Sequence, residues 1–342
     1  MSEALLSALT EALAELVTAV GTADEEVLDP GTGTAWRART ARVLDRLPAA
    51  DRRTLDRLLQ EAALRRPGGP RPADLLKAPA GGGLTDPHDA HRHARRLDLV
   101  AAHVDRLLAL VRTADPATPV PSRPGWTLAD LVEHHGTTHR WTEHLVRTRA
   151  TTRVLARDVP LGLPADPAER PDWLAASAAT ALAALRAADP GAPLWSYGAD
   201  PHVRFFARRL LFEGVVHVAD AELALGRPVG PIDPGTAADG IEELLENLPY
   251  FGWAAEPVAQ LDRDGAVVRF LATDTGAGWT LTLGGGGFAW RRAADGAATV
   301  TVEGAVADLL LLLHGRYRAD APRFTVTGDR TVLDAWLTAT AV

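Results

Sequence analysis

Apolar residues recur at helical spacing from residue 3 to 20, at Leu5, Leu6, Leu9, Leu13, Leu16 and Val17. They do so again between 36 and 64, around Val43, Leu44 and Leu47 and around Leu55, Leu58 and Leu59. This spacing predicts a small helical N-terminal unit. From Arg66 to Pro87 the pattern gives way to RPGGPRPADLLKAPAGGGLTDP, whose Pro and Gly density reads as a linker and sets a boundary near residue 88. A stripe of Leu97, Val100, His103, Val104, Leu107, Leu108 and Val111 then predicts a long helix over 88–113, ending before the extended crossing DPATPVPSRPGW. Thr127 with Asp130 three positions later resembles a capping box and opens the next helix. Further helices are predicted at 171–188 and 202–225, so the middle of the chain reads as four antiparallel helices with long connections.

After about residue 248 the period changes. AVVRFLATD and GWTLTLGGGGFAWRR alternate every second residue, with Gly284 to Gly287 as a hairpin turn. ATVTVEG reads as another strand before the apolar helix AVADLLLLLHGR, and RFTVTGD leads into the helix TVLDAWLTAT. The expected organisation is therefore a helical extension and linker at 1–87, a helical bundle at 88–248, and an α+β domain at 249–342 with helices on one face of its sheet. GGGG sits in a hairpin with no helix after it, so it is turn chemistry and not a phosphate loop.

At 342 residues a sizeable core is available, and the formal net charge of −8, with both signs interspersed, argues against a nucleic-acid footprint. No run approaches a membrane span, and the acids in MSEALLSALTEALAEL do not suit a signal peptide, so a cytoplasmic protein is expected. The chain contains no cysteine. That excludes disulfides, thiolate metal sites and a cysteine nucleophile, and any thiol chemistry must come from a bound thiol.

Two stretches carry candidate chemistry. In LVEHHGTTHRW, His135 and His139 fall on the central apolar face and form an i, i+4 pair able to converge on one ion, while His134 lies near the edge of that face. The alternative is a set of core or rim histidines satisfied by hydrogen bonds. In VRFFARRLLFEGVVHVADAELA, Phe206, Leu210, Glu213, His217, Asp220 and Ala224 share one face. A carboxylate on such a stripe is costly unless paired, protonated or coordinated, so Glu213 either binds a metal with His217 or pairs with Arg209 or another arginine. Three nitrogen or oxygen ligands would leave a fourth position open, as in a catalytic zinc site. The HDAHRH run at 88–93 reads as solvated histidines at a helix start.

VPSRPGWTLADLVEHHGTTHRW, RRLLFEGVVHVADAELALGRPV, GTAADGIEELLENLP, VTVEGAVADLLLLLHGR and FTVTGDRTVLDAW, in that order, resemble the mycothiol-dependent maleylpyruvate isomerase family of actinobacteria over about residues 92–342. The resemblance implies a DinB-like metal-binding four-helix bundle followed by a small α+β domain, with residues 1–87 outside it. It places the metal ligands at His134, Glu213 and His217, choosing His134 over the pair favoured by the helical wheel. Asp220 is then expected to accept the His217 ring N–H, and His139 to orient a ligand or touch substrate or cofactor. The C-terminal domain resembles the family's lid, with Arg316 the basic residue expected to reach the site; the alternative for Arg316 is a helix C-terminal charge answering the macrodipole. The sequence departs from the family pattern at Val218 and Ala219, where polar residues are usual, and in the Phe212 that precedes the glutamate.

The activity so implied is that of an enzyme holding a divalent metal, zinc in the first instance, and using mycothiol to attack a small electrophile, as isomerase or S-transferase. Metal-dependent hydrolysis of a small amide or ester, and a non-catalytic small-molecule binder with a structural metal, are the readings to be set against it.

Overall fold

The computed structural model describes residues 3–22 and 87–341 apart from 285, together with helical positions 36, 40, 44, 55, 58 and 59. The chain forms two compact units, Met1–Ala90 and His91–Val342. In the first, α1 (Glu3–Thr22) buries Ala14 and Val17 against Leu59, with Leu13, Trp36, Leu44 and Leu55 packed around them. Leu9 and Leu16, expected on the same stripe, are exposed. Val43, Leu47 and the Pro- and Gly-rich stretch up to residue 86 lie outside the described residues.

Four long helices follow: α2 (Pro87–Val111), most of which belongs to the second unit, α3 (Leu128–Thr148), α4 (Arg170–Ala187) and α5 (Val203–Ala224). The predicted capping box at the start of α3 is present: the Asp130 N–H donates to Thr127 Oγ1, and the Thr127 N–H donates to Asp130 at 2.8 Å. The helices are not uniformly antiparallel. Glu133, Gly136 and Arg140 of α3 meet Arg170, Trp173 and Ser177 of α4 in rising order, so this pair runs parallel. By the same reasoning α2 and α4 oppose one another, since Asp98 pairs with Arg186 and Arg112 with Asp172. The reason is the long segment between α3 and α4, which returns the chain to its starting end and is pinned there by the indole N–H groups of Trp141 and Trp173, donating to the carbonyls of Val154 and Leu161. Close approach of α3 and α4 depends on Gly136, where a Cβ would meet the Trp173 ring.

The HDAHRH run is only in part what its composition suggests. His91 is exposed, but His93 is buried and its Nε2 lies 3.2 Å from the carbonyl oxygen of Leu185, in the last turn of α4. Helix C-terminal carbonyls lack intrahelical donors, and this contact supplies one. The side chain of His88 lies outside the described residues.

Two shorter helices, α6 (Pro234–Asn247) and α7 (Gly252–Ala259), lead to a five-stranded sheet. Its strands are β1 (Val267–Ala272), β2 (Gly278–Gly284), β3 (Gly287–Arg292), β4 (Val300–Gly304) and β5 (Thr325–Gly328), in the order β3-β2-β1-β4-β5. Only the β1–β4 pairing is parallel. Gly284 pairs with Gly287 across the predicted hairpin. Register puts Val268, Phe270, Leu281, Trp279, Val300 and Val302 on one buried face, and Thr280, Thr301 and Arg269 on the other. Helices α8 (Val306–Leu313) and α9 (Arg330–Ala339) follow β4 and β5, and α8 packs against β1 and β4 and also against α6. A helix apolar around most of its surface must be enclosed, and Leu309 to Leu313 are all buried between these neighbours. Helix α8 thereby joins the sheet to the bundle.

Candidate functional site

Helix α5 is the enclosed helix of the bundle: Phe206, Leu210, Leu211, Phe212, Val215, Val216, Val218 and Ala219 are all buried. The three departures from the family pattern are thus part of the packing surface, Phe212 lying against Gly240 of α6. Within this apolar surround the helix carries Arg209, Glu213, His217 and Asp220. Burying such a set requires that each charge find a partner.

The partners converge. Glu213 Oε2 lies 2.8 Å from His217 Nε2 and 3.4 Å from His134 Nε2, the latter reaching across from α3. One ligand atom from each of His134, Glu213 and His217 lies within 4.8 Å of the others. The remaining oxygen, Oε1, accepts from Arg209 Nε and Nη2 at 3.1 and 2.6 Å. The pairing with Arg209 expected from the sequence is present through one oxygen, and the other oxygen faces two imidazoles. Burial alone would raise the Glu213 pKa, but Arg209 and the two histidines outweigh it and hold the carboxyl well below the usual range.

Outer contacts hold Glu213 and His217. Arg209 is itself held by Glu243 of α6, whose carboxylate accepts from Nη1 at 2.9 Å, and Asn247 donates to Glu243 Oε1 at 3.0 Å. His217 Nδ1 lies 3.0 Å from Asp220 Oδ2, so the ring presents Nε2 to Glu213. Asp220 is fully buried and accepts from Arg316 Nε and Nη2, both at 2.8 Å, and from Ser122 Oγ at 2.6 Å. Burial disfavours its charge; the His217 and Arg316 contacts prevail and keep it ionised. A histidine whose second nitrogen meets a carboxylate, beside a carboxylate held by an arginine, is the kind of outer organisation found around metal ligands.

Arg316 reaches Asp220 because α8 ends in a Schellman turn. Gly315 adopts φ +75°, and the N–H groups of Gly315 and Arg316 donate to the carbonyls of Leu312 and Leu311. Arg316 Nη1 donates to the His314 carbonyl at the helix end, and the rest of the fork meets Asp220. The carboxylate facing the fork is one of the protein's own, so Arg316 reaches the site through Asp220 and His217.

His135 and His139, which the helical wheel favours, are fully buried. Their rings lie 4.8 Å apart, and the His135 ring is 5.7 Å from that of His217. His139 Nδ1 bonds the carbonyl of His135 at 2.8 Å. Burial pushes His139 down to about 4 and His135 well below its ordinary value, so both are neutral at neutral pH. His139, expected to touch substrate or cofactor, is enclosed on the bundle side of His135. The wheel identified burial correctly; it could not identify convergence, because His134 meets Glu213 from the edge of its helix.

Sequence reasoning missed the residues that hold the cluster from outside. Glu243 and Asn247 sit at i, i+4 on α6, and their burial is not readable from an otherwise ordinary amphipathic pattern. Ser122, Arg123 and Trp126 belong to the Pro-rich crossing, where no periodicity exists to show which side chains turn inward.

Comparison with family models matches residues 97–222 to the mycothiol maleylpyruvate isomerase N-terminal domain and residues 236–335 to the MDMPI C-terminal domain. Comparison with curated proteins gives no match. Among solved structures, mycothiol-dependent maleylpyruvate isomerase aligns at 16% identity with a TM-score of 0.47, covering 69% of this chain and 92% of that one. A mutant of that enzyme aligns likewise, with a TM-score of 0.48. A UbiJ-SCP2 ubiquinone synthesis protein aligns over 32% of this chain and 93% of its own, at 23% identity and a TM-score of 0.25.

Proposed function

This chain belongs to the mycothiol maleylpyruvate isomerase family, and from that premise we propose that it is an enzyme in which His134, Glu213 and His217 hold one divalent cation, zinc, beside the sulfur of mycothiol. The observation that carries the reading is the meeting of two imidazoles and one ionised carboxylate, with Glu213 held by Arg209 and His217 by Asp220. Such a donor set suits zinc, nickel or iron(II), and zinc is the natural assignment for a site without redox ligands. A cation bound there supplies Lewis acidity that shifts a nearby thiol toward its thiolate, the reactive form.

The protein's own groups have distinct tasks. Arg209 keeps Glu213 ionised and holds Oε1, leaving Oε2 toward the histidines. Asp220, braced by Arg316 and Ser122, sets the ring orientation of His217. His134 borders solvent, its side chain 38% exposed, so incoming molecules meet the cluster from its side. The thiolate adds to an electrophilic carbon of a small molecule, forming a C–S bond as the π pair moves onto the neighbouring atom. Rotation and expulsion of the sulfur give isomerisation, whereas protonation of that atom gives a stable S-conjugate. The domain limits of this reading are a bundle at 88–248 and an α+β domain at 249–342, with the small molecule and mycothiol as partners.

Zinc-reconstituted protein is expected to consume maleylpyruvate or a related electrophile at least 10-fold faster with mycothiol than without, and chelation should abolish the difference. Rates by absorbance and mass spectrometry of products separate isomer from S-conjugate. Turnover of an amide or ester that ignores mycothiol would instead assign hydrolysis. Among the described residues no helix is long and apolar enough to cross a membrane.

A further inference from the structure

Among the described residues of the second unit, Arg140 donates to Ser177, and Arg269 to the backbone carbonyls of Asp295 and Gly296. Arg96, Arg106, Arg208, Arg209 and Arg316 each meet a carboxylate. Arg123, among the described residues, meets only the face of Trp126, its Cζ 4.5 Å from the ring centroid. The same indole lies 5.2 Å from the ring of His134, so one aromatic side chain joins this cation to the open edge of the cluster.

The segment that carries Arg123 is firmly built. Val120 donates to the Trp126 carbonyl at 2.9 Å, Arg123 to that of Val120 at 3.0 Å, and Trp126 to that of Arg123 at 3.0 Å. Gly125 takes the left-handed φ of +88° that closes the turn. Ser122, the preceding residue, donates to Asp220, and Thr127 just beyond caps α3. The turn is therefore fastened at one end to the group that orients His217 and at the other to the helix that carries His134. Burial and the charge of Arg316 lower the Arg123 pKa, while Asp220 and Glu213 draw it up, which places the guanidinium in the field of the cluster.

Stacking on an indole occupies the face of a guanidinium and leaves its in-plane N–H donors available, in the fork geometry that matches a carboxylate. We propose that Arg123 is the anion receptor of this site, binding one carboxylate of the electrophile while Trp126 walls the approach to His134. This rests on the reading of His134, Glu213 and His217 as the cation-binding centre, and it names the charge class of molecule brought there. Arg316, whose fork meets Asp220, has no comparable edge turned toward a ligand.

The test uses two probes of one shape, maleamate with a single carboxylate and the neutral diamide maleamide, titrated calorimetrically into zinc-loaded protein. Wild type should prefer maleamate; Arg123→Gln should weaken maleamate about 10- to 100-fold, the range for hydrogen bonds to a charged group, and leave maleamide within about 2-fold. Arg123→Lys, which keeps the charge without the fork, should fall between, and it distinguishes a lost contact from a disturbed fold. Equal binding of both probes to wild type, or unchanged maleamate affinity in Arg123→Gln, would overturn the assignment. Because the titration contains no thiol, Arg123-dependent binding in a protein whose turnover ignores mycothiol would uphold the receptor and remove only the thiol chemistry.

Discussion

Glu213→Gln is expected to weaken zinc binding by roughly 100-fold or more and to remove thiol-dependent turnover with it. The substitution keeps the shape of the side chain but replaces an ionised ligand by a neutral amide, and loss even of a group behind a ligand typically costs about 10- to 100-fold in affinity. The amide also presents one NH2 where the carboxylate presented two acceptors, so either Arg209 or the histidine pair faces a donor. Competitive titration with a chelating dye measures the affinity, and total metal per chain confirms it. Wild-type zinc affinity in the variant would mean that Glu213 is a partner of Arg209 and nothing more. The metal-free variant should still fold, because Arg209 keeps Glu243.

The second large effect is on stability. Arg209 is the shared counter-charge of two buried carboxylates, Glu213 and Glu243, and truncating one partner of such a group leaves the others uncompensated. Arg209→Met is expected to cost about 3–5 kcal/mol, the range for a broken buried ion pair. The pH dependence follows from the depressed pKa of Glu213. A carboxyl whose folded value lies below its unfolded one contributes stability that is fully present above the unfolded value and is lost as pH falls through the folded one. In Arg209→Met that contribution is gone, so the deficit relative to wild type should be greatest near neutrality and shrink on acidification below about pH 4.5. Denaturant melts at neutral and acidic pH read both; equal stability at neutral pH would show that the carboxylates are compensated elsewhere.

Much of the architecture was legible in the chain because each element carries its own period. The stripe on α2, the Thr127 and Asp130 box and the alternation in β1 to β3 are local signals, and the fold respects them. The direction of α4 was not legible, since it is set by where the segment after α3 turns back, and that depends on Trp141 and Trp173 finding carbonyls some dozen residues away. The candidate site divides in the same way. Glu213 and His217 are one turn apart, and their shared face is a property of one helix. His134 could be preferred to His135 only through likeness to a family, because one position along α3 decides whether a ring meets α5 at its edge or enters the core. Arg316 was expected at the site, yet its route through Asp220 depends on a glycine turn at the end of a different domain's helix. Arg123 carried no signal at all: an arginine in a Pro-rich crossing reads as surface until its neighbour Ser122 is seen to grip Asp220.

The most direct measurement of the central claim is X-ray absorption at the zinc edge of protein loaded with one equivalent of zinc, before and after addition of mycothiol. The expected first shell holds two imidazole nitrogens and a carboxylate oxygen, and gains one sulfur near 2.3 Å when the thiol is added, the usual zinc–thiolate distance. A shell with fewer than two imidazoles, or one that mycothiol leaves free of sulfur, would contradict it.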